Sequence, residues 1–290
     1  MRIAVFADVH ANLVALQTIV EHIEAWRPDI VIAAGDIINR GPRPAECLAL
    51  VQGKQRAAGW LTIRGNHEDY VLTQASLDAP RAGPAADVHQ PSIWTLNKLG
   101  TGVSSLEEMP FQQDISDPDN RLVRIVHASM LGNRVGIYPE TTDEELASKI
   151  GVCPEQAGCS DQQLPVLFCV GHTHRPLIRV LNGILVVNAG SAGLSFDGDH
   201  RAAYAQLTYR RGVWQAKIIR ISFDLHASEQ DFYNSGYLTE AGPIIRLVLF
   251  ELQHARSMLY GWAMRYQERA LAGEISVEQS VHEYLTRLSG

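Results

Sequence analysis

Five short apolar runs in this chain each end on a residue that can hold a metal ion, and that repetition limits the fold more than any other feature. Residues 2–7 lead into Asp8 and His10, residues 30–34 into Gly35-Asp36, and residues 60–63 into Gly65-Asn66-His67-Glu68. Residues 122–126 lead into His127, and residues 166–170 into Gly171-His172-Thr173-His174. Continuous apolar runs of this length suit strands buried on both faces. In the first third they alternate with helical patterns: Leu13, Leu16, Val20 and Ile23 recur at three- and four-residue spacing, and a second helix follows Arg43-Pro44 over 44–51. Strands alternating with helices predict an α/β layered sheet. In an open sheet of that kind, ligands gather beyond the carboxyl ends of the strands, where these loops converge.

An Asp or Asn at one strand exit is by itself only a turn or cap signal. The joint set is different. Asp8, His10, Asp36, Asn66, His127, His172 and His174 are seven hard or borderline donors with no thiolate among them, a set that suits Mn, Fe or Zn. One ion in a catalytic site takes three or four protein ligands. Seven donors therefore predict two divalent transition-metal ions sharing Asp36, with Mn the first choice. A metal pair clamps the attacking and leaving oxygens of an in-line phosphoryl displacement.

Charge narrows the partners. A net charge of −7 argues against general nucleic-acid binding, which needs a basic face. A local metal centre would still draw a small phosphorylated substrate. No uncharged apolar stretch reaches the length of a membrane span, since residues 243–252 are broken by Arg246 and Glu251. The chain enters a core-like strand directly after Met1-Arg2, with no leader pattern. Cys47, Cys153, Cys159 and Cys169 show no C-x-x-C spacing and read as reduced thiols, so a cytoplasmic protein is expected.

Downstream, residues 78–91 read as an exposed Ala/Pro/Gly loop and residues 93–99 as a short helix. Thr142 and Glu145 have the spacing of a capping box. Residues 177–181 and 184–187 flank Asn182-Gly183 as a hairpin, and residues 203–209 and 214–221 flank a turn at Gly212. Past residue 225 the chain turns helical. Ile244, Val248, Leu252, Ala255, Leu259, Trp262 and Tyr266 form one apolar stripe, suited to core packing or to a homodimer through these C-terminal helices. Ser276 opens a last helix. The expected organisation is a domain over residues 1–225 and a helical extension over residues 226–290, acting as lid, seam or packing.

Taken together, D-x-H, Gly35-Asp36, Gly65-Asn66-His67-Glu68, the lone His127 and Gly171-His172-Thr173-His174 resemble the calcineurin-like metallophosphoesterase superfamily. Asn12 after Asp8-Val9-His10-Ala11, and the stretch from Asn188 to Gly193, resemble its compact bacterial and archaeal phosphodiesterase branch. The likeness covers residues 1–221. It implies a four-layer α/β/β/α sandwich with a dinuclear site at its edge. Asp8, His10, Asp36 and His174 would hold one metal, and Asp36, Asn66, His127 and His172 the other. His67 would be the general acid, and Arg40, Asn66 and His67 would touch the substrate. The implied activity is hydrolysis of a phosphodiester or small phosphomonoester by a metal-activated hydroxide. The alternatives are a phosphoprotein or dinucleoside polyphosphate phosphatase, and a non-catalytic scaffold of the same fold. A decayed scaffold should lack ligands, and none is missing here.

Two positions depart from the family pattern. Ala128 follows His127 where glycine is usual, and Asn39 stands where the related protein phosphatases carry an Asp paired with the acid histidine. An amide orients an imidazole but does not stabilise imidazolium by charge. Either His67 titrates low, or Glu68 or Asp69 replaces the missing carboxylate. Among the remaining candidates, His22 and His254 read as helix-surface residues, and Asp197-Gly198-Asp199 as a turn. Ser191 lacks the G-x-S-x-G elbow of a nucleophilic serine.

Overall fold

A computed structural model describes residues 1–152 and 163–289. Two five-stranded mixed sheets form its centre. In the first, β1 (Arg2–Phe6), β2 (Ile30–Ala34) and β3 (Leu61–Ile63) run parallel. The second holds β4 (Gln112–Ser116), β5 (Leu122–Val126), β6 (Leu167–Val170), β7 (Leu177–Leu181) and β8 (Ile184–Asn188), with β5, β6 and β8 parallel. The chain then returns to the first sheet, where β9 (Ala202–Arg210) lies antiparallel to β1 and β10 (Val213–Ile221) forms the edge.

Strand alternation sorts the side chains into layers. Ile3, Val5, Ile32, Ala34 and Ile63 face Val123, Ile125, Leu167 and Cys169 across the gap between the sheets. Ala4 and Phe6 face the other way, onto α1 (Leu13–Trp26) and α2 (Pro44–Ala58) through Leu16, Ile19, Cys47 and Leu48. Phe168, Val170 and Val186 pack on Leu146 of the helix Asp143–Lys149, whose N-cap is Thr142 as expected. The result is the expected α/β/β/α sandwich, with C-terminal helices added to it.

The loop expected over residues 78–91 is corrected. Helix α4 runs over Pro84–Leu99, with Pro84 in its first turn and Pro91 inside it. Proline suits the first turn, because that N–H has no helical partner in any case. The short helix expected over residues 93–99 is the second half of α4; the Ala/Pro composition of residues 84–92 hid the first half, and α3 (Asn66–Ala75), which opens on the ligand loop itself, has no counterpart among the expected elements.

The single apolar stripe of the tail is corrected too. The helix Ile245–His254 stops at Ala255, which sits at φ 48°, and helical structure resumes at Leu259. Buried Glu251 makes the break possible: its Oε1 accepts from the backbone N–H of Met258 and Leu259, both at 2.8 Å. On both sides of the break the stripe is covered within the chain. Val248 and Leu252 pack with Trp94 of α4, and Ile244, Trp262 and Tyr266 pack with Val88 of the same helix. Cys47 and Cys169 are free and buried, while Cys153 and Cys159 lie outside the described residues. No helix among the described residues is long and apolar enough to cross a membrane.

Candidate metal centre

The strand ends converge as the parallel order requires. One donor atom each from Asp8, His10 and His174 lies within a 4.8 Å span, as do those of His10, Asp36 and His67, and those of Asp36, His127 and His172. Asn66 joins the last group, its Oδ1 lying 3.0 Å from His127 Nε2 and 2.8 Å from His172 Nδ1. All seven expected ligands, together with His67, therefore meet in one place.

The backbone turns sharply to achieve this. Asp8, His10, Asp36, His172 and His174 all have positive φ, between 49° and 68°. Each such non-glycine residue costs about 1–3 kcal/mol and persists only where its surroundings over-determine it. Glycine is required beside the donors because the loops nearly touch. A Cβ on Gly65 would stand 2.2 Å from Asp36 Oδ1, and one on Gly171 2.7 Å from Asp8 Oδ2. Asn188 Nδ2 donates to the Gly171 carbonyl at 2.8 Å and so ties the His172–His174 loop to β8.

Beneath the centre, Glu68 gathers the loops from inside. Its two oxygens accept from the N–H groups of Asp36 and Ile37 at 2.8 Å, Gly65 at 2.9 Å and Ile38 at 3.3 Å. Glu68 is therefore a structural anchor and no partner of His67. Asp69 pairs with Arg64 at 3.0 Å. Neither acid replaces the missing carboxylate.

Asn39 itself completes the His67 contact. Its Oδ1 accepts from the Arg40 N–H at 3.0 Å and the Thr95 hydroxyl at 3.2 Å, which leaves Nδ2 to donate to Ser92 Oγ at 3.1 Å and to His67 Nδ1 at 3.0 Å. His67 Nδ1 is thus an acceptor, and the neutral ring carries its proton on Nε2. Burial pushes His67 down to about 3, the first of the two outcomes expected from Asn39. Nothing in the sequence marked Ser92 or Thr95 as a partner of Asn39: Ser92 falls just ahead of the helix expected over residues 93–99, and Thr95 lies on it.

Three imidazoles are oriented in the manner of metal ligands, with the far nitrogen donating to a carbonyl. His127 Nδ1 donates to Ala34 at 2.9 Å, His10 Nδ1 to Asn39 at 3.3 Å, and His174 Nδ1 to Leu194. Each therefore turns its Nε2 into the centre, as a lone pair in His10 and His174. His10 Nε2 and His174 Nε2 then face each other at 3.0 Å, with Asp8 Oδ1 buried, unpartnered and 3.6 Å from His174 Nε2. Burial and neighbouring cations hold both rings well below the usual imidazole range, so no proton fills the gap at neutral pH. Lone pairs so placed call for a cation.

The other group makes the same demand. Burial lowers His127, but Asp36, with Oδ2 at 3.3 Å, outweighs it and pushes the ring up to about 10. Without a metal, His127 is protonated at pH 7. The donor set thus fits two divalent cations, one near Asp8, His10 and His174, the other near Asn66, His127 and His172, with Asp36 between. Binding must displace the His127 proton. Metal uptake at pH 7 is therefore expected to release about one proton or more per chain, and affinity to rise with pH. Calorimetry in buffers of different ionisation heat checks this; uptake without proton release would show that His127 gives up no proton to a bound ion.

The centre opens into a cleft of about 1280 Å³. Arg40 reaches it with no acid partner among the described residues, its guanidinium carbon 6.0 Å from the Phe196 ring, which in turn stacks on His174 at 4.1 Å. Ser191 Oγ donates to the Asp8 carbonyl at 2.7 Å, a supporting role and not that of a nucleophile. His22 meets Tyr204 on the far side of the sheet, and Asp197 pairs with Arg220 at the cleft edge.

Facing sheets with an Asp/His cluster at their common end define a metallophosphoesterase-like centre. The chain belongs to the calcineurin-like phosphoesterase superfamily, whose domain model matches residues 1–212. Among solved structures, a metallophosphoesterase from Sphaerobacter thermophilus is 27% identical, with a TM-score of 0.66 over 88% of this chain and 99% of that one. The hypothetical protein PH1004 from Pyrococcus horikoshii OT3 shares the fold at 19% identity, with a TM-score of 0.71 over 89% of this chain and 99% of that one. The uncharacterized protein MJ0912 of Methanocaldococcus jannaschii is 24% identical over 77% of this chain and 88% of its own length.

Proposed function

We propose that this chain is a dinuclear, metal-dependent phosphoesterase acting on a phosphodiester or small phosphomonoester. The observation that carries the reading is the pair of opposed lone pairs on His10 and His174, 3.0 Å apart with both far nitrogens already committed. When bound, two divalent ions, Mn by preference, would supply the positive charge that activates water and neutralises the phosphoryl oxygens.

The protein's own groups do the rest. Arg40, which has no carboxylate partner among the described residues, binds a non-bridging phosphate oxygen. Asn66 and His67 flank the substrate from the third strand end. Neutral His67 directs its Nε2–H at the departing oxygen and stabilises charge there as a hydrogen-bond donor. The amide of Asn39 gives no charge support to imidazolium, which weighs against the phosphoprotein phosphatase alternative. The buried free thiols Cys47 and Cys169 favour a reducing compartment such as the cytoplasm.

The test pairs elemental analysis with hydrolysis of bis-p-nitrophenyl phosphate, for wild type and His67→Ala. Close to two ions per chain in both proteins, with turnover about 10²-fold lower in the variant, is the expected result. Two ions and no turnover on any phosphoester would favour the scaffold alternative. No uptake of ions would reduce the strand-end residues to turns and caps.

A further inference from the structure

We infer that the C-terminal helices complete a second subsite beside the metal centre, and that this subsite takes the ring and second phosphoryl group of a nucleoside bisphosphate. The inference rests on the phosphoesterase reading and extends it to substrate class.

The first observation is size. A cleft of about 1280 Å³ exceeds the roughly 300–1,000 Å³ typical of small-molecule sites, and one phosphate on a metal pair fills little of it. The second is charge. The cleft lining includes Arg40, Arg134, Arg175 and Arg256, yet its carboxylates are only Asp36, at the metal centre, and Asp197, already paired with Arg220. Arg175 pairs with Glu140. Arg40 serves the scissile phosphate. Arg134 and Arg256 are left, and among the described residues neither has an acidic partner. Two free guanidinium groups beyond the metal centre call for a second anion, and phosphate suits their planar donors.

The third observation is aromatic surface. Tyr138, 42% exposed, follows the His127 strand end, and Tyr260, 69% exposed, comes from the C-terminal helices; both line the cleft. Exposed rings that line one cleft from separate parts of the fold offer stacking surface to a flat heterocycle. Arg134 is held by the same kind of contact, its guanidinium carbon 4.7 Å from the Tyr70 ring. A ligand with one phosphoryl group at the metals, a planar base against Tyr138 and Tyr260, and a second phosphoryl group on Arg134 and Arg256 uses every feature. Arg256 and Tyr260 lie beyond the residues matched by the family domain, so the specificity belongs to the tail.

The test is calorimetric binding to the Mn-loaded full chain, in the His67→Ala background to slow hydrolysis. Adenosine 3′,5′-bisphosphate, adenosine 5′-monophosphate and adenosine are compared. The bisphosphate is expected to bind at least about tenfold more tightly than the monophosphate, one charge-assisted contact's worth. Arg256→Ala should abolish that margin, and Arg256→Lys should restore part of it. Tyr260→Ala should weaken both nucleotides by about tenfold. Both side chains are exposed, so neither change threatens the fold. Equal affinities for the bisphosphate and the monophosphate, or a margin that survives Arg256→Ala, would overturn the subsite. Turnover of bis-p-nitrophenyl phosphate, a diester, and of p-nitrophenyl phosphate, a monoester, by wild type is scored separately. Turnover without the margin removes the subsite alone, whereas the margin without turnover removes the phosphoesterase reading and leaves a nucleotide-binding cleft.

Discussion

Asp36→Asn is expected to leave the fold intact and empty the centre of at least one ion, with turnover falling by more than 10²-fold. The substitution is nearly isosteric, and the amide oxygen can still accept from the His67 backbone N–H, now at 2.8 Å from Asp36 Oδ1. What disappears is the one negative charge placed between the two donor groups, 3.3 Å from His127 Nε2 and 3.8 Å from His10 Nε2. Burial alone would raise the Asp36 carboxyl, but His127 and His67 outweigh it and hold it well below the usual carboxylate range. Losing a supporting hydrogen bond behind a metal ligand costs 10–100-fold, and losing a shared ligand should cost more. Elemental analysis and a phosphodiester assay decide it. Two ions and activity within threefold of wild type would show that Asp36 bridges nothing.

Glu68→Ala should damage stability more than any ligand change. The carboxylate is fully buried and accepts four backbone N–H groups from the Asp36 and Gly65 loops. Truncation leaves those donors facing a cavity. Each buried unsatisfied group costs about 1–3 kcal/mol, so several kcal/mol of a typical 5–15 kcal/mol total are at stake. Chemical denaturation should show a midpoint far below wild type, or no folded protein. A shift under 1 kcal/mol would mean that the loops hold themselves.

The metal centre was legible because two codes coincide in the sequence. Buried strands show as apolar runs, and in a parallel layer their ends must meet, so Asp8, Asp36, His127 and His172 could be placed in one site before any coordinates. The supporting groups were not legible. Ser92 sits where Pro84 and Pro91 disguise the first half of a helix as loop, Thr95 on the expected second half carries no mark of its contact with Asn39, and the Leu194 carbonyl that orients His174 has no side-chain signature. The role of the tail was obscured by its apolar stripe. Arg256 and Tyr260 fall at the break after Ala255, and only the Glu251 contacts show that a break exists.

The left-handed backbone at five of the donor residues also bears on metal loss. A site whose donors are held in place by neighbouring loops, a buried glutamate and closely packed glycines does not depend on the arriving ion to assemble it. Removal of bound ions by a chelator should therefore leave the far-ultraviolet circular dichroism spectrum unchanged, because the loops are already held in place by the protein's own contacts.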